Sequence, residues 1–181
     1  YELTESCTHI MKKGKASIDD MYDDLLNLGA IFDVEDTAKN LVNNYKAELK
    51  SFKDDLETGE PVRAFVYDSG EDTPFTAGLY AMPTALIEAA GGVNVMNGFE
   101  KSWGTVTWEE VVAQNPEVIV IVNYGSVTAE QKRAFMMSNP AFANIDAVKN
   151  DRFVTLEYVE ATPGPRNIKA IKTLANSFWG K

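Results

Sequence analysis

Cysteine and histidine each occur once in this chain of 181 residues, as Cys7 and His9. A single thiol excludes an internal disulfide. A single imidazole makes any Ser-His-Asp or Cys-His arrangement depend on His9, far in sequence from the main body of the chain. Cys7-x-His9 supplies two ligands where a zinc site needs three or four, so no metal site is expected. The pair reads as a loop thiol and a solvated imidazole. Phosphate-binding loops are missing as well. Gly14-Lys15 has His9 where a P-loop opens with glycine, and no G-x-G-x-x-G follows a strand pattern. There is no G-x-S-x-G elbow. No catalytic residue is expected.

Positive charge is also scarce: 17 Lys+Arg stand against 27 Asp+Glu, a net −10. Such a surface repels phosphate backbones, and nucleic acid is not an expected partner. No apolar run approaches the roughly 18–20 residues that span a bilayer. The opening residues have no apolar segment of signal-peptide type. Leu3, Thr4, Glu5 and Ser6 before Cys7 do not resemble a lipoprotein processing site, which favours small and apolar residues. Without an initiating methionine, the chain reads as a mature piece or a fragment.

What is present is ordinary globular material, 45% apolar and 24% charged. After Ser17, a plausible N-cap, Ile18, Met21, Tyr22, Leu25 and Leu28 recur at helical spacing, and Gly29 is expected to end or kink that helix. The acidic run Asp19 to Asp24 reads as its solvated face. A second helix opens at Asp33, with Glu35 and Asp36 in its positive first turn. Its apolar face runs from Val34 to Leu56. About 24 residues at 1.5 Å each give roughly 36 Å, which predicts a strut rather than one arm of a compact hairpin. Strands are then expected over 62–67, 117–123 and 152–158. Helices are expected over 78–90, from the capping box Thr107-x-x-Glu110 to Gln114, from Thr128-x-x-Gln131 to Ser138, around 145–149, and from Pro163 to Phe178. Strands alternating with helices predict an α/β fold, a Rossmann-like parallel sheet covered by helices on both faces and preceded by the long helix.

The segment WGTVTWEEVVAQNPEVIVI (103–121) resembles a signature of class III solute-binding proteins, the group that serves ABC importers of ferric siderophores, haem and cobalamin. ASIDDMYDDLLNLGAIFDVEDTAKNLVNNYKAEL resembles the family's interlobe helix. ALIEAAGGVNV, NPAFANIDAVKNDRFVTL and GPRNIKAIKTLA follow in the family's order. The resemblance implies two lobes bridged by a long helix, with the ligand in the cleft between. It assigns residues 1–16 to the remnant of an N-terminal lobe, 17–58 to the interlobe segment and 59–181 to the C-terminal lobe.

By the same resemblance, Trp103 matches a position whose aromatic ring lines the cleft, although a Trp at a helix entry also serves as core. Glu109 matches a glutamate that docks on an arginine of the permease. It also complements the helix dipole, and the two roles are compatible. Ligands of open α/β sheets bind at the carboxyl ends of strands. Those ends carry Tyr67, Tyr124 and Tyr158, as hydrogen-bonding residues, haem-iron ligands or simply amphipathic rim residues. Arg166 could meet an anionic siderophore or only support its loop. The implied ligand is a small-molecule iron chelate, first a ferric siderophore, with haem or cobalamin as alternatives; no resident cofactor is expected. Zinc and manganese binders gather histidines, and the C-terminal lobe has none. The implied partners are the transmembrane subunits of an ABC permease, and the implied location is extracytoplasmic. Membrane association is expected only through a lipid anchor outside this segment. A flavodoxin-like enzyme or regulatory domain is the competing class, but Asp68, Glu71 and Asp72 around Gly70 would repel its phosphate.

Overall fold

A computed structural model describes residues 1–4, 14–56 and 58–180; Cys7 and His9 lie outside them. VRAFVY is apolar but for the exposed Arg63, and VIVIVN opens on five successive β-branched apolar residues. They form β1 (Val62–Tyr67) and β5 (Val118–Asn123), the two inner strands of a four-stranded parallel sheet. The order is β3-β1-β5-β6, with β3 at Gly92–Asn94 and β6 at Phe153–Glu157. Because strand side chains alternate, β5 divides its payload. Val118, Val120 and Val122 face one core with Ala64 and Val66, beneath α3 (Met82–Ala89) and α8 (Asn167–Trp179). Ile119 and Ile121 face a second core with Phe65 and Tyr67, beneath α4 (Trp108–Gln114), α5 (Ala129–Ser138) and α6 (Asp146–Lys149). The Rossmann-like parallel sheet with helices on both faces is therefore the fold.

All three expected caps form. Ser17, Thr107 and Thr128 each accept from a backbone N–H of the first turn and close a reciprocal capping box. Two expectations about the opening helices are corrected. Gly29 does not end α1, which runs from Ile18 to Ile31. A Cβ at Gly29 would lie 2.4 Å from the Cβ of Ala38, so the glycine is where α1 and α2 (Glu35–Asp54) touch. Nor is α2 a free strut. A tight turn with Asp33 at φ 58 reverses the chain, and α2 returns along α1 until Lys46 sits 5.0 Å over the Tyr22 ring. Glu48 then reaches Lys172 of α8 at 2.6 Å, tying the hairpin to the sheet domain.

Three short strands were not foreseen. β3 pairs with β1 from Val62↔Gly92 to Ala64↔Asn94. β2 (Phe75–Ala77) and β4 (Trp103–Thr105) make an antiparallel ribbon. Each has three residues and too little alternation to stand out from a loop. The helix expected over 78–90 is shorter, Met82–Ala89. Tyr158 lies outside β6 and opens the four-residue helix α7 (Tyr158–Ala161).

Candidate ligand-binding site at the strand ends

The carboxyl ends of β1, β5 and β6 lie side by side, as the pairings Tyr67↔Ile121 and Asn123↔Glu157 require. After β1 the chain turns sharply at Gly70, at φ +87, where a Cβ would lie 2.1 Å from the Thr73 carbonyl oxygen. No other residue fits there without moving the backbone. The turn lets Asp68 N–H donate to the Phe75 carbonyl (3.1 Å) and Phe75 N–H to that of Ser69 (2.8 Å). Tyr67 is 1% exposed, with its hydroxyl donating to the Gly70 carbonyl at 3.3 Å. Its ring meets Trp108 edge-on at 5.3 Å. Burial, with a smaller contribution from Glu71, pushes its pKa up to about 12.

After β5, Asn123 donates to both carboxylate oxygens of Glu157 at 3.1 Å. Tyr124 and Tyr158 stack at 4.7 Å between centroids and are 54% and 49% exposed. Two half-exposed rings held face to face form a ledge on which a flat or apolar group can lie. Gly125, at φ +80, turns the chain into α5.

Behind the ledge lies a residue that sequence reasoning missed. Lys132 is 2% exposed, and its Nζ donates to the carbonyls of Val122 (2.7 Å) and Tyr124 (3.3 Å). Burial lowers its pKa, with Asp68 acting in the opposite direction. Ala129, Lys132 and Met136 are the buried positions of α5. Their three- and four-residue spacing was the available signal: a lysine on the apolar stripe. A cavity of about 200 Å³ opens among Tyr67, Ser69, Gly70, Tyr124, Ser126 and Lys132.

The structure thus gathers Tyr67, Tyr124 and Tyr158 at one edge. Trp103 is half-buried in the β2–β4 ribbon, stacks on Phe75 at 6.0 Å and packs against the larger core. It does not line the cavity. Arg166 is exposed at the N-cap position of α8, where its charge helps to lower the pKa of Glu160. Glu109 is exposed in the first turn of α4, beside a shallow apolar depression formed with Trp108, Val112 and Phe142. Among the described residues, no group of three or more His, Cys, Asp or Glu is placed to hold a metal ion. No helix of the described residues is long and apolar enough to cross a membrane.

A crystal structure of a periplasmic binding protein from Veillonella parvula superposes with a TM-score of 0.85 at 34% identity, over 92% of this chain and 58% of that one. A structure titled as an ABC-type Fe3+-hydroxamate transport system, from Saccharomonospora viridis, gives 0.80 at 23% identity, over 91% and 57%. The vitamin B12-binding protein of Vibrio cholerae is 22% identical over 158 residues, 86% of this chain and 54% of that protein. The chain spans little more than half the length of these relatives. Its residues 2–159 match the family described as periplasmic binding protein, and the chain belongs to that family.

Proposed function

We propose that this chain is the larger part of the extracytoplasmic solute-binding component of an ABC importer, and that it captures an iron chelate, foremost a ferric siderophore. The supporting observation is the convergence of Tyr67, the Tyr124–Tyr158 ledge and a lysine-floored cavity at the carboxyl ends of parallel strands. In this reading residues 59–181 are one lobe, 17–58 the segment joining it to a second lobe, and 1–16 the edge of that second lobe. Trp103 and Arg166 flank the ligand surface, and Glu109 meets an arginine of the permease. Chemistry at the site is capture alone: stacking, hydrogen bonding and exclusion of water, with no bond made or broken.

The named ligands of the relatives, ferric hydroxamate and vitamin B12, set the range to be tested. Haem is a further candidate, because exposed tyrosine hydroxyls can ligate its iron. Tryptophan fluorescence titrated with ferric siderophores, haem and cobalamin decides among them. A saturable response to a ferric siderophore is expected, weaker by at least about tenfold than for a form extended to the relatives' full length, since one wall of the cleft is then supplied. Silence toward all three ligand classes by both forms sinks the importer reading. Equal affinity of the two forms sinks the two-lobe cleft.

A further inference from the structure

We infer that Lys132 is a charge-selecting residue of the strand-end cavity, binding a carboxylate arm of the ligand. This rests on the reading of that surface as the ligand face. Three observations carry it. The ammonium is almost wholly removed from water, at 2% exposure, yet Lys132 lines the 200 Å³ cavity. An ammonium has three N–H donors, and only two find acceptors among the described residues, both neutral backbone carbonyls. No carboxylate of the described residues forms an ion pair with it; Asp68 acts only through space, and its own Oδ2 accepts from Ser69 Oγ at 2.9 Å.

A buried cation with no carboxylate in contact is costly, Asp68 offsetting that only in part through space, and an anion entering the cavity reduces the cost. The cavity holds a carboxylate-sized group rather than a whole chelate. The third N–H of Lys132 and the hydroxyl of Ser126 can bind the carboxylate, while the rest of the ligand lies on the Tyr124–Tyr158 ledge. Glu71, exposed, is the carboxylate in the cavity lining, and Tyr67 stays protonated in the wall. The positive charge is thus confined to the floor, whereas the surface at large is acidic, with a net charge of −10. Such an arrangement admits an anionic arm at one point only. It would favour ligands that carry free carboxylates over neutral ones.

Ligand carboxylates of this kind come from two sources, a citrate-type ferric chelate or the propionates of haem. Affinities of the full chain are measured for ferric citrate, for haem and for a ferric trihydroxamate that carries no carboxylate, in wild type, Lys132→Gln and Lys132→Arg. The expected result is that wild type prefers at least one carboxylate-bearing ligand. Lys132→Gln then weakens that ligand by at least about tenfold and changes the trihydroxamate by less than about twofold, while Lys132→Arg restores most of the loss. Which of the two carboxylate ligands is affected identifies the source. Equal losses for all three ligands would mean that Lys132 only straps β5 to the Tyr124 turn, and would overturn the inference. Binding of the trihydroxamate alone by wild type overturns it while leaving the importer reading intact, and this comparison needs no variant to fold. Binding of none of these, nor of cobalamin, removes both.

Discussion

Tyr67 is the residue in which fold and candidate site overlap most. It fills the smaller core with Phe65 and Ile121 and also lines the strand-end cavity. Its ionisation reports on that double placement. The folded pKa of about 12 lies above the value near 10 of an unfolded chain, so Tyr67 contributes stability that is fully present below pH 10 and lost as pH rises toward 12. The loss amounts to roughly 1–1.5 kcal/mol by pH 11. Burial also raises Tyr22, so the comparison must isolate Tyr67. Urea unfolding of wild type and Tyr67→Phe at pH 8 and pH 11 does so. Wild type should be the more stable at pH 8, and the gap should close or reverse at pH 11. An unchanged gap would mean that the hydroxyl reaches water. The sequence placed this tyrosine at a strand end correctly because β1 is apolar at every position but Arg63 and a polar loop follows Tyr67. It did not reveal that the ring would be buried, since burial here depends on Trp108 and Phe135 packing over it from distant segments.

At the scale of elements, the α1–α2 hairpin shows what periodicity can and cannot deliver. Both helices were legible from apolar spacing, and the start of α1 from its N-cap, Ser17. Their antiparallel packing was not, because glycine inside a helical pattern ordinarily signals an end. Here Gly29 instead permits contact with Ala38. Gly29→Ala should therefore destabilise the protein by about 1–3 kcal/mol through overpacking, despite alanine's better helix propensity. Adding Ala38→Gly should recover part of the loss, a coupling that a double-mutant cycle in urea unfolding reads directly. If Gly29→Ala is neutral or stabilising, the close approach is not maintained in solution. The same limit explains β2, β3 and β4. A three-residue strand draws its stability from the partner it pairs with, and Asn94 shows how: its side chain donates to the Ala77 carbonyl and to Thr84 Oγ1, binding β3 to segments earlier in the chain. Such cross-links have no local signature.

For the molecule as a whole, the family was legible because five ordered segments span the chain, whereas the ligand was not. The strand-end surface follows from topology, but Lys132 and the Tyr124–Tyr158 pair come together at the candidate site only when α5 and α7 pack on the sheet. The proposed docking role of Glu109 belongs at this scale too, since it concerns a partner and not the ligand. The residue sits in the first turn of α4 and does not line the strand-end cavity, with the apolar depression of Trp108 and Phe142 beside it. A lone exposed carboxylate–arginine pair contributes only about 0.2–1 kcal/mol and is screened by salt, so it would set orientation more than affinity. Glu109→Ala should consequently leave ligand affinity unchanged and reduce permease-dependent uptake by a few-fold. Glu109→Lys should reduce it further, because two like charges then meet at the same contact. Thr107 and Glu110 hold the cap of α4 in both variants, so the melting temperature should fall by only about a few degrees, more in Glu109→Lys, where a cation meets the positive end of the helix. Uptake unchanged in Glu109→Lys would place the docking contact elsewhere on this lobe. A parallel loss of ligand affinity would instead bring Glu109 into the ligand face.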